Sequence, residues 1–193
     1  MMESLIIRPF HPADQDRVSA IFIEWNRHIA NPDNAAAFDA YIERVMDEEI
    51  LRIPDYYQHT LGSGFWVADL SGAVVGMAGI EHLNDAEAEV RRMYVDSGYR
   101  RRGIGVRLLS HIEDFCIGEG YQRILLSTSE MQDAALALYR AQGYRLDREE
   151  VAEKRRETRE DRRFAAPARG DQDRHGALED VTGQRQRRRR CRR

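Results

Sequence analysis

Three arginines and two glycines crowd into Arg100-Arg101-Arg102-Gly103-Ile104-Gly105, and no other stretch constrains the fold as much. Before it, Glu89 to Val95 has a β-compatible pattern that ends at the turn Asp96-Ser97-Gly98. After it, Ile104, Leu108, Ile112, Phe115 and Cys116 recur at helical spacing and line one face of an amphipathic helix bounded by Gly118 and Gly120. Arg123-Ile124-Leu125-Leu126-Ser127-Thr128 then reads as a buried strand. A helix with one apolar stripe between two strands needs a sheet to cover that stripe, so the chain belongs to the α/β or α+β class.

The remaining elements extend this unit. Leu5 to Arg8 is a short strand stopped by Pro9, and Asp14 is placed to cap a helix carrying Val18, Ile21, Phe22 and Trp25. Phe38, Tyr41, Ile42, Val45 and Met46 mark a second helix, after the loop Asn31-Pro32-Asp33-Asn34 and before Pro54. Gly64 to Asp69 and Val74 to Ile80 form a hairpin about Ser71-Gly72. Gln132 to Gln142 is a short helix ended by Gly143, and Tyr144-Arg145-Leu146 begins one more strand. The predicted order is β-α-α-β-β-β-α-β-α-β, with a mixed sheet and no internal repeat.

The arginine-glycine turn also carries chemistry. The first amides of a helix have no partner inside it and attract anions, phosphate above all, with help from the helix dipole. Gly103 and Gly105 keep side chains away from such a ligand, and the arginines raise the local potential. The spacing is neither the dinucleotide Gly-x-Gly-x-x-Gly nor the Walker pattern.

The segment from Val90-Arg91-Arg92-Met93-Tyr94-Val95 through Gly105 resembles the coenzyme-binding motif of the GCN5-related N-acetyltransferases. Ala137-Leu138-Tyr139-Arg140-Ala141-Gln142-Gly143-Tyr144 resembles that family's second signature, a tyrosine on a short helix ahead of Gly-Tyr. The resemblance covers roughly Leu5 to Leu146. Phe65-Trp66-Val67-Ala68 and Ser127-Thr128-Ser129-Glu130-Met131-Gln132 look most like the camello-like branch.

The resemblance implies a mostly antiparallel central sheet flanked by helices, and transfer of acetyl from acetyl-CoA to a primary amine in a ternary complex. The acceptor is a small molecule or peptide, and no metal takes part. Met93, Tyr94 and Val95 would face the thioester and pantetheine arm, and Arg100, Arg101, Arg102, Gly103, Ile104, Gly105 and Val106 would surround the pyrophosphate. Gln132 would contact the coenzyme where many members carry asparagine. Tyr139 matches the general acid. Glu89 matches the glutamate base of some members, or else pairs with Arg91 or Arg92; Glu81 and His82 are second choices. On its own pattern, without the resemblance, Tyr139 reads first as a core tyrosine, and His111 as solvated.

Charge divides the chain. Of 30 basic and 33 acidic residues, 15 and 8 fall in 151–193, which leaves 15 and 25 in the body. An acidic body excludes a nucleic-acid binder apart from non-specific contacts of the basic tail. That tail has too few apolar residues to offset its chain entropy. The expectation is therefore an N-acetyltransferase domain over 1–148 and a disordered tail over 149–193, with the family's last strand missing. The missing strand also admits a non-catalytic acyl-CoA-binding domain with an incomplete acceptor side. No apolar run approaches a membrane span, and two cysteines make no disulfide framework, which points to a cytoplasmic protein, monomer or homodimer.

Overall fold

The computed structural model describes residues 4–129, 133–153 and 158–167. In chain order they form β1 (Leu5–Pro9), α1 (Gln15–Ile29), α2 (Ala35–Glu48), β2 (Gly64–Leu70), β3 (Ala73–Asn84), β4 (Glu87–Val95), α3 (Ile104–Glu119), β5 (Arg123–Ser129), α4 (Asp133–Ala141), β6 (Arg145–Glu153) and β7 (Thr158–Pro167). The seven strands make one sheet in the order β1-β2-β3-β4-β5-β7-β6. Only β4 and β5 run parallel; every other neighbouring pair is antiparallel. The mixed, mostly antiparallel sheet is the expected one. Among the described residues, no helix is long and apolar enough to cross a membrane.

Alternation along the central strands builds two cores. From β2 and β3, Trp66, Ala68, Val75 and Ile80 point to one face, where α3 and α4 add Leu108, Ile112, Cys116, Leu136 and Tyr139. Phe65, Val67, Val74 and Met77 point to the other, against Val18 and Phe22 of α1 and Ile42 and Val45 of α2. Each helix thus covers the sheet with the stripe its periodicity predicts. Burial pushes the Cys116 thiol up to about 12, as a core position requires.

Two expectations need correction. The last strand is present: β7 lies between β5 and β6, with Leu126 opposite Phe164 and Ile124 opposite Ala166. Its sequence hides it, because apolar residues gather only at Phe164-Ala165-Ala166, after the wholly charged run Arg159 to Arg163. Pairing on both sides satisfies the backbone of such a strand without an apolar alternation of its own. The sheet therefore reaches Pro167, and the expected disorder of the tail beyond it concerns residues 168–193, which lie outside the described ones.

Asp14 does not cap α1 with its side chain. It accepts from the His11 amide at 2.8 Å and receives both terminal nitrogens of Arg8, at 2.7 and 2.8 Å, while Arg8 Nε donates to Asp69 at 3.0 Å. The edge strand is thereby tied to the turn that launches α1. The Arg8 hydrogen bonds hold the Asp14 carboxyl below the usual aspartate range.

Two outcomes follow. A chain ended at 148 leaves β5 without its antiparallel neighbour and should melt well below a chain ended at 167, or fail to fold; thermal denaturation of the two compares them. Asp14→Asn should cost about 1–2 kcal/mol at neutral pH, the range for half-buried, charge-assisted hydrogen bonds. Because the folded pKa is lowered, that margin is full above 3.8 and disappears as pH falls through the folded value. Urea titrations at pH 7 and pH 3 measure it.

Candidate functional site

Parallel pairing between β4 and β5 covers only Glu87 to Val90 against Arg123 to Leu126. Beyond Val90 the two strands separate. A cavity of about 290 Å³ occupies the gap, lined by Glu89 to Tyr94 of β4, Leu126 to Thr128 of β5, Tyr139 of α4, and Asn26, Ile29 and Tyr41 of α1 and α2. On its other side β4 stays paired with β3, but with an extra residue. Gly79 faces Arg91 and Met77 faces Tyr94, so Arg92 and Met93 together oppose Ala78. Arg92 has a positive φ of 52° at this bulge.

Met93 is where the predicted parts converge. The Tyr139 hydroxyl donates to Met93 Sδ at 3.9 Å. A Cβ on Gly105 would meet Leu138 at 3.2 Å and Met93 at 3.6 Å, so the first turn of α3 packs directly on β4 and α4. Ahead of that turn, Arg101 and Gly103 have φ of 60° and 75°. Gly103 takes the N-cap position with no side-chain hydrogen bond to the helix, and a Cβ there would meet nothing within 4 Å. The amides of Ile104, Gly105 and Val106 therefore start the helix beside open space, as an anion site requires. Arg101 and Arg102 are exposed around it, Arg102 lying 5.3 Å from the Tyr99 ring.

Arg100 is turned elsewhere. Its guanidinium stacks 4.4 Å from the Trp25 ring centroid, and its Nε donates to the Val95 carbonyl at 3.3 Å. It ties α1 to the end of β4. Gln132 lies outside the described residues.

Tyr139 is buried, and burial pushes its phenol well above the ordinary tyrosine value. It holds its proton at any physiological pH. Glu89 lines the same cavity; Ser127 Oγ donates to its Oε1 at 2.7 Å, and Arg91 Nη1 stands 3.7 Å from its Oε2. Of the two arginines weighed as its partners, Arg91 is the neighbour. Glu81 sits directly across from Glu89 in the sheet and binds Arg91 Nη1 at 3.0 Å and the Tyr56 hydroxyl at 3.0 Å. His82 is held by the Tyr121 hydroxyl at 2.7 Å. His111 is half-buried against Trp66, and burial lowers its pKa, which corrects the expectation of a solvated histidine.

Sequence reasoning missed the group beneath the bulge. Glu49, 4% exposed, follows α2 and receives Arg92 Nε at 2.8 Å and Arg92 Nη2, as well as the Tyr57 hydroxyl. Arg92 Nη1 donates to the Tyr41 hydroxyl at 2.7 Å. Burial alone would lower the Arg92 pKa, but the hydrogen bonds to Glu49 carry it above the ordinary value. Glu49 ends the acidic run Asp47-Glu48-Glu49, and nothing in that run distinguishes it from a solvated face. Among the described residues, no cluster of histidine, cysteine and carboxylate side chains has the make-up of a metal centre.

The profile of the acetyltransferase (GNAT) family matches residues 32–144. Human N-acetylaspartate synthetase is 37% identical over 107 residues, covering 55% of this chain and 35% of that protein. The probable N-acetyltransferase camello of Xenopus laevis is 33% identical over 110 residues, covering 56% and 50%. The chain thus spans between about a third and a half of the length of these curated relatives. A GNAT-family acetyltransferase from Staphylococcus aureus superposes with a TM-score of 0.67 at 19% identity, over 86% of this chain and all of that one. The yncA protein of Salmonella typhimurium, solved with its cofactor acetyl-CoA, gives 0.61 at 17% identity, over 86% and 95%. The structural likeness shows a shared fold, and the profile match spans more than half of the sequence: the chain belongs to the acetyltransferase (GNAT) family.

Proposed function

We propose that this domain transfers acetyl from acetyl-CoA directly to a primary amine of a small molecule or peptide, both substrates being bound together. One observation carries the reading: the free-amide start of α3, the gap between β4 and β5, and the Tyr139 hydroxyl all meet at Met93. An elongated thioester with a pyrophosphate at one end fits that line. The pyrophosphate takes the amides of Arg101 to Val106, the pantetheine arm follows Met93 to Val95, and the acetyl group enters the gap. The acetyl-CoA bound to the Salmonella typhimurium protein of the same fold supports this choice of cosubstrate.

The chemistry then divides between the two sides of the cavity. Glu89 accepts a proton from the acceptor ammonium, directly or through water, and frees the lone pair that attacks the carbonyl. As the tetrahedral intermediate collapses, its nitrogen loses the second proton to solvent, the carbon–sulfur bond breaks and the electron pair leaves on sulfur. Tyr139 supplies a hydrogen bond to it. A thiol with a pKa near ~8.5 leaves readily, so a phenol held above its usual value stabilises the thiolate without having to protonate it fully. Arg100, on Trp25, serves the joint between α1 and β4 better than the phosphate. The names of the curated relatives support an amino-group acceptor. The presence of β7 removes the ground for a non-catalytic reading based on a missing wall.

Acetyl-CoA at about 100 times its dissociation constant should stabilise the fold by about 2.7 kcal/mol, seen as a rise in melting temperature. Gly103→Glu should abolish that rise, whereas Gly103→Ala, which carries the same left-handed backbone penalty without the charge, should keep part of it. No rise in the wild-type protein at millimolar acetyl-CoA overturns the assignment.

With an acceptor found by thiol release over an amine panel, Tyr139→Phe should lower kcat roughly 10–100-fold, at or below the low end for a general acid, and leave coenzyme affinity nearly unchanged. Glu89→Gln should lose most activity at low pH and least as pH nears the acceptor amine's own pKa, where deprotonation needs no help. Flat pH profiles equal to wild type in both variants would show that neither residue has its assigned role.

A further inference from the structure

The bulge in β4 is held by a clamp that comes from outside the sheet. Arg92 is neither glycine nor asparagine, yet it has a φ of 52°, a left-handed conformation that an L-residue with a long side chain rarely adopts. A residue stays there only where its surroundings over-determine it. Here they do. Glu49 receives two nitrogens of the guanidinium, the Tyr41 hydroxyl receives the third, and the rings of Phe22 and Tyr41 lie 5.8 and 6.0 Å away. Glu49 is fixed in turn by the Tyr57 hydroxyl and stands 3.6 Å from Arg91.

The consequence falls on the main chain. At the bulge Arg92 and Met93 oppose a single residue of β3, so the regular ladder is interrupted there, and β5 has already parted from β4 at Val90. Both residues line the cavity. Their peptide groups are thereby released from the sheet at the point where the reading above puts the thioester. We infer that Glu49 is a positioning residue for acyl transfer: through Arg92 it holds the β4 bulge in the left-handed form that turns the main chain at 92–93 toward the reacting carbonyl. Glu49 itself touches neither substrate. The inference rests on the proposed acetyl-transfer reading, and a failure of one is separable from a failure of the other.

The test removes the charges and keeps the backbone question. Glu49→Gln alone leaves a buried guanidinium without its carboxylate and serves only as a folding control. The informative pair is Glu49→Gln with Arg92→Gly against Glu49→Gln with Arg92→Ala. Both lack the clamp and both charges, but glycine adopts the left-handed conformation freely and alanine does not. The glycine form should show a kcat roughly tenfold above the alanine form. Acetyl-CoA affinity and binding stoichiometry, measured calorimetrically, should match between the two, because the phosphate site at α3 is separate. NMR of the ligand-free proteins should report a positive φ at position 92 in the glycine form and its loss in the alanine form. Equal kcat in the two forms, or a positive φ kept in both, overturns the inference while wild-type turnover leaves acetyl transfer standing. A difference in kcat matched by an equal loss of binding stoichiometry also overturns it, since that reports unfolding. A wild-type protein that neither binds acetyl-CoA nor releases thiol instead overturns the acetyl-transfer reading, and the inference with it.

Discussion

A parallel pair of strands that stops after four residues governs the molecule. The β4–β5 pairing from Glu87 to Val90 fixes where α3 crosses the sheet, and its end at Leu126 fixes where the sheet opens. Beyond that point β4 and β5 face a cavity instead of each other. The bulge on the β3 side loosens the same stretch of β4 from its other flank. The cavity results from two local interruptions of pairing in an otherwise continuous seven-stranded sheet.

The electrostatics of the slot are largely internal. Arg91 and Arg92 face Glu49, Glu81 and Glu89, and the structure pairs them closely. The Glu49 pairs hold β4 to the connection after α2, and the Glu81–Arg91 pair links β3 to β4. At the far end, exposed Arg101 and Arg102 add positive charge beside the start of α3. The proposed cosubstrate, with anionic charge at one end and a neutral thioester at the other, would suit that division, because desolvating a neutral group beside satisfied ion pairs costs little.

Periodicity made the helices and central strands legible: the stripes of Val18–Phe22 and Ile104–Cys116 and the hairpin about Ser71-Gly72 lie where their spacing puts them. The start of α3 was legible because its left-handed N-cap favours glycine. Three features were not. The seventh strand carries few apolar residues and is defined by its neighbours, so its own pattern says nothing. Glu49 is one acid among three, and only the folded chain brings it to Arg92, 43 residues on. Arg100 reads by adjacency like its two neighbours, and its stacking on half-buried Trp25 is a contact the run itself does not show. Each omission concerns an interaction between residues far apart in sequence, which local propensity cannot record.

The position of β7 has a consequence for how the chain is made. β5 leaves the ribosome before β6, and β6 before β7, yet β7 is the strand that lies between them. Until Thr158–Pro167 has been synthesised and has left the exit tunnel, β5 presents an open hydrogen-bonding edge flanked by Leu125 and Leu126, and β6 has no strand to join. An unpaired edge beside apolar side chains is a template for pairing with other chains. Completion of the sheet thus waits for the last of its strands to be made, and the β5 edge is most exposed to aggregation in the interval before β7 docks on it.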